Sequence, residues 1–130
     1  MIAMDFQFTD SLVTIAVVNI EILVNYYGQL LREKPIKYIP NVYVEFELPN
    51  LKLGIFKLKP TYDAEFINAT QSKISLCLEV NNLENALVHL TSFGYPPSTS
   101  IITASHGREI YIYDPDGNRI ILHQGVGSRN

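Results

Sequence analysis

Glu79, Glu109, Tyr111, Arg119 and His123 are the side chains of this 130-residue chain whose types and spacing can support chemistry. Glu109 and Tyr111 stand two positions apart, as do Arg119, Ile121 and His123 in turn. Such spacing puts side chains on one face of a strand. A carboxylate or imidazole on that face can move a proton, while an arginine fork and a phenol orient a polar substrate. The plainer alternative is structural. In it Arg119 pairs with Glu109 at the mouth of a cavity, the Tyr111 hydroxyl bonds locally, and His123 is solvated near its strand end. Thr14 and Ser75 add hydroxyls, but neither has a His–Asp partner in a recognisable motif.

The remaining candidates are weaker. His106 falls in a loop between Ser105 and Gly107, where exposure is the ordinary outcome. His89 lies in a helical stretch with no second ligand at metal spacing. Cys77 sits in an apolar alternation and reads as a small buried hydrophobe. As the single cysteine it forms no intrachain disulfide. There is no phosphate loop, no dinucleotide fingerprint and no zinc-finger spacing.

Composition narrows the class. An apolar fraction of 47% with 18% charged residues belongs to a globular chain. The net charge is −3 and the basic residues form no run, which argues against nucleic acid and anionic membrane as partners. The first ten residues carry acids and lack the plan of a signal peptide, and no apolar stretch is long enough to span a bilayer. A cytoplasmic location is the expectation.

These residues need elements to hold them, and the pattern supplies two similar sets. Residues 12–18 alternate as a strand, with Val13, Ile15 and Val17 on one face. Asn19 stands where a helix cap belongs, and residues 20–31 carry the helical spacing Ile20, Leu23, Val24, Tyr27, Leu30 and Leu31. Strand-like pieces follow at 36–39, 42–48 and 51–58, the last two joined at Pro49-Asn50. Residues 59–72 are polar, aperiodic and read as a linker. The pattern then restarts. Residues 74–80 alternate, Asn81 or Asn82 caps a second helix with the stripe Leu83, Ala86, Leu87 and Leu90, and Gly94 ends it. Strands at 99–103, 109–113 and 119–123 complete the half, the last two joined by the turn Asp114-Pro115-Asp116-Gly117. The expected fold class is α+β, with two repeated βαβββ modules at about 11–58 and 73–124. They build one domain whose curved mixed sheet surrounds a cup. Facing the cup would be Leu12, Thr14, Ala16 and Val18 from the first strand, and Ser75, Cys77 and Glu79 from the fifth.

Three stretches resemble the glyoxalase/bleomycin-resistance/ring-cleaving dioxygenase superfamily, the vicinal oxygen chelate proteins. They are NIEILVNYYGQLL at 19–31, the restart at 74–86, and GREIYIYDPDGNRIILHQ at 107–124. The resemblance implies that Glu109 and Tyr111 on the seventh strand, and Arg119, Ile121 and His123 on the eighth, lie on the ligand face. It also implies metal-ligand positions at Leu12, Gly54, Ser75 and Ile121. None of these four is a competent donor for a divalent cation, so no metal and no cofactor is expected there.

The leading expectation is a metal-free small-molecule-binding protein of this superfamily. Its ligand is held by Thr14, Ser75, Glu79, Glu109, Tyr111, Arg119 and His123, and the resemblance implies a homodimer. The alternative is a metal-dependent lyase, isomerase or dioxygenase with an atypical ligand set drawn from Glu79, Glu109 and His123. A third possibility is an interaction module whose cup is filled by Leu12 and Ile121.

Overall fold

A computed structural model describes residues 7, 10–58 and 74–127. The expected linker at 59–72 therefore lies outside the described residues. The element order is β1 Val13–Val17, α1 Ile20–Leu31, β2 Lys37–Ile39, β3 Tyr43–Leu48, β4 Leu51–Lys57, β5 Leu76–Glu79, α2 Leu83–Ser92, β6 Ile102–Ala104, β7 Gly107–Tyr113 and β8 Arg119–Gly125. Each half forms its own four-stranded mixed sheet, in the orders β1-β4-β3-β2 and β5-β8-β7-β6. In both, the opening strand runs parallel to the closing one and the remaining pairs are antiparallel. The helix between first and second strands provides the crossover that a parallel pair requires.

The helices start where asparagines stand, though not in the same way. Asn82 accepts a hydrogen bond from the Asn85 amide at 2.8 Å, whereas the Asn19 side chain makes no cap bond. Gly94 takes a positive φ of 95° just past α2. At the Pro49-Asn50 connection Asn50 adopts φ 62°, the left-handed value that Asn tolerates.

One apolar cluster joins both halves. Ile20, Leu23, Tyr26 and Tyr27 of α1 are buried with Val44, Phe46, Leu53 and Ile55 of the first sheet. Leu83 and Leu90 of α2 are buried with Ile110, Ile112, Ile120 and Leu122 of the second. The halves are then tied by polar and aromatic contacts. Tyr26 meets Phe93 and Tyr95 edge-on, and His89 Nε2 lies 2.8 Å from the Gln29 carbonyl near the end of α1. Tyr27 donates its hydroxyl to the buried Asp114 at 2.7 Å. Asp114 also accepts from the amides of Asp116 and Asn118, so the turn that marks the sequence is a cross-link between halves.

Two expectations change at the edges. Val13 and Ile74, expected on the helix-covered face, are 40% and 78% exposed. Both lie at or just before the start of a strand that ends its sheet, where the helix no longer covers them. Strand β6 begins at Ile102, not at Thr99, because the β6–β7 hairpin closes on the Ala104–Gly107 pair. Thr99 instead hydrogen-bonds the Tyr111 carbonyl through its hydroxyl.

Candidate functional site

Strands β1 and β5 are the facing outer strands of the two sheets, and between them runs a cleft of about 470 Å³. That is the size of a small-molecule site. Its lining includes Ile15, Leu53 and Leu76, together with Tyr27, Asn118 and the polar groups of Thr14, Ser75 and Arg119. Arg119 is half-buried, donates through Nε to the Ser75 hydroxyl, and sits 5.9 Å from the centre of the Tyr111 ring. No carboxylate pairs with it among the described residues. The outer nitrogens of its fork are left for an incoming group. Arginine geometry suits a carboxylate or another planar or tetrahedral oxyanion.

The expected Arg119–Glu109 ion pair is absent among the described residues. Register is the reason. Arg119 lies opposite Tyr113, and Glu109 lies opposite His123. Arg119 and His123 are four residues apart on one strand, a span of about 13 Å. The candidates therefore separate into two groups. Thr14, Ser75 and Arg119 meet at the cleft, with the Tyr111 ring beside them. Glu79, Glu109 and His123 form a lateral row across β5, β8 and β7 at the other end of the sheet.

In that row His123 is partly buried with a partner at each ring nitrogen, rather than simply solvated as in the plainer reading. Its Nδ1 lies 2.6 Å from Glu79 Oε1, and Glu79 Oε2 accepts the Gly125 amide at 2.7 Å. The hydrogen bond with His123 holds the Glu79 carboxyl below its ordinary value. His123 Nε2 lies 3.0 Å from His106 Nδ1. His106 is exposed, as expected for a loop, but it has a partner, which spacing alone did not indicate. A two-residue turn, Ser105-His106, followed by a glycine was the available signal.

Cys77 corrects another expectation, because it is exposed rather than buried. It points to the face of β5 away from α2, on a strand with no outer neighbour. Partial desolvation, then the charges of Glu79 and Glu109, raise its thiol above the ordinary value, the opposite of an activated nucleophile.

The four positions implied for a metal by the resemblance do not fit one. A Cβ on Gly54 would lie 2.6 Å from the Tyr43 hydroxyl and 3.1 Å from a Leu12 methyl, so neighbouring side chains already fill that corner. Tyr43 donates to Glu45, and burial followed by that carboxylate pushes the phenol up to about 12. Ile121 offers only hydrocarbon and the Ser75 hydroxyl is engaged by Arg119. Leu12 is 42% exposed and Ile121 half-buried, so neither is packed away in a filled, dry core.

No family model and no curated protein matches the sequence. The fold does match solved structures. A glyoxalase/bleomycin resistance protein from Catenulispora acidiphila DSM 44928 superposes with TM-score 0.65 at 20% identity, covering 88% of this chain and 96% of that one. The fosfomycin resistance protein FosX from Listeria monocytogenes gives TM-score 0.71 at 16% identity, covering 94% and 97%. A glyoxalase-related enzyme from Fulvimarina pelagi gives 0.68 at 15%, covering 90% and 89%.

Proposed function

From a chain with the fold of the glyoxalase/bleomycin-resistance proteins, we propose a small-molecule-binding member of that superfamily. It takes an amphipathic acid in the cleft between β1 and β5. The observation that carries this reading is the Arg119 fork, half-buried among apolar walls with no carboxylate paired to it among the described residues. A ligand acid would pair with Arg119 and its apolar part would lie along Ile15, Leu53 and Leu76. Ser75 holds the guanidinium in place, Thr14 offers a further hydroxyl, and the Tyr111 ring backs the cation. Fold alone names no substrate, so only the chemistry of the cleft defines the ligand.

Thermal-shift screening of aromatic and aliphatic acids, followed by calorimetry, tests the reading. A carboxylate-bearing compound should stabilise the protein, and Arg119→Gln should weaken binding at least about tenfold, the worth of one charged hydrogen bond. Absence of stabilisation across the panel, or binding indifferent to Arg119→Gln, would remove the proposal.

We further read the protein as a cytoplasmic homodimer. Supporting self-association, Ile36, Tyr38, Ile39 and Val42 at and beside the outer strand β2 are 47–53% exposed. Light scattering that returns a monomer mass at micromolar concentration counts against it. No helix among the described residues is long and apolar enough to cross a membrane.

A further inference from the structure

We propose that His106, Glu109 and His123 form a binding site for a divalent transition-metal ion, with Glu79 as the group that orients His123. This site is separate from the cleft and does not depend on the reading of Arg119.

Three adjacent strands and one turn create the arrangement. His123 on β8 lies directly opposite Glu79 on β5 and Glu109 on β7, so all three side chains share a face. His106 comes from the turn that joins β6 to β7. The backbone holds that turn against the end of β8. At Gly107, φ is 137°, and a Cβ there would lie 2.3 Å from the Gln124 carbonyl oxygen and 3.1 Å from His123 Nε2. Only glycine lets the turn approach this closely. The ligand atoms of His106, Glu109 and His123 consequently all lie within 4.8 Å of one another.

The chemistry of the donors suits a borderline cation. Two imidazoles and a carboxylate form one of the donor sets that hold zinc while leaving a position open. The 3.0 Å separation of His106 Nδ1 and His123 Nε2 is near the edge of a tetrahedron with zinc–nitrogen bonds of about 2.0 Å, roughly 3.3 Å. Glu79 engages Nδ1 of His123 and so leaves Nε2 as the ligand atom. A carboxylate on the far nitrogen of a ligating histidine is the usual outer partner of such sites. Its second oxygen is tied to the Gly125 amide, so Glu79 is itself fixed. His106 is exposed and Glu109 and His123 are partly so, which leaves the fourth direction to water or an oxygen-bearing ligand.

The sequence pattern alone suggests Glu79, Glu109 and His123 as an alternative ligand set. The structure moves Glu79 outward and brings in His106. The competing account is two imidazoles sharing one proton across the same 3.0 Å, with no ion.

The test uses full-length protein purified without a histidine tag, stripped with chelator, and titrated with zinc and with cobalt(II) at about pH 7.5, where free imidazoles are mostly neutral. One equivalent should bind in the micromolar range or tighter, with visible cobalt bands of a four- or five-coordinate site. His106→Ala and His123→Ala should each weaken binding beyond about 100-fold, while Glu79→Gln, a positioning change, should weaken it about 10–100-fold at unchanged stoichiometry. Arg119→Gln should leave metal binding intact. His106→Ala alters an exposed turn side chain, so circular dichroism should match the parent. The proposal is overturned if neither ion binds, or if binding survives His106→Ala and His123→Ala unchanged. Imidazole proton resonances that titrate with pH but ignore added zinc would establish the shared-proton account instead.

Discussion

Arg119 and His123 occupy the same face of one strand, yet each has joined a different neighbourhood. The choice was made by what stands across from them. Tyr113 and Ser75 surround the arginine, while Glu79, Glu109 and His106 surround the histidine. Arg108, on the opposite face, shows how a single residue couples charge to stability. Its guanidinium grips both oxygens of Glu84 at 2.6 and 2.9 Å, near the start of α2, and holds that carboxyl down to about 2. A carboxyl lowered on folding stabilises the protein above its unfolded value, near 4.5, and the contribution is lost as pH falls toward 2. The pair is exposed, so its effect is small. Arg108→Gln should therefore melt only slightly below the parent near neutral pH, and the gap should close between pH 4.5 and 2. Paired thermal melts across that range check it, and a gap independent of pH would refute the assignment.

At the scale of elements, two similar helices begin with asparagine but differ in what the asparagine does. Asn82 satisfies an orphan amide of α2, whereas Asn19 makes no such bond. Loss of a side-chain cap costs about 1 kcal/mol. Asn82→Ala should cost that much in urea unfolding and Asn19→Ala close to nothing. Equal losses would mean the two caps are equivalent after all. Boundaries of both helices were legible from the apolar spacing and a leading asparagine, with Gly94 marking the end of α2. The sixth strand was not. Residues 99–101 carry β-prone residues, but pairing is set by where the β6–β7 hairpin closes, a contact further along the chain. Cys77 escaped the sequence for a related reason. Alternation shows that two faces exist but not which one is covered, and an outer strand has less cover on both.

For the molecule as a whole, the question is whether the halves stand independently. A continuous apolar cluster, the Tyr26–Phe93–Tyr95 contacts and the buried Tyr27–Asp114 bond argue for cooperation. Tyr27→Phe removes a buried hydrogen bond to a carboxylate and should cost about 1.5–3 kcal/mol. Unfolding should nevertheless stay a single transition, with tyrosine fluorescence and far-ultraviolet dichroism coincident. Separated transitions in the parent protein would show that each module unfolds alone.

The repeat, the two helices, most strands and the closing Asp-Pro-Asp-Gly turn were settled by the chain's own pattern. Period, cap and turn chemistry act between near neighbours, and the sequence displays near neighbours directly. The aliphatic, glycyl and hydroxyl character of Leu12, Gly54, Ile121 and Ser75 was equally plain. Pairing across the sheets was not. Which carboxylate reaches His123, whether Arg119 finds an acid, and that His106 comes within 3.0 Å of His123 depend on register between strands distant along the chain. A shift of one residue in that register would send the same side chains to opposite faces, so only the assembled sheets decide them.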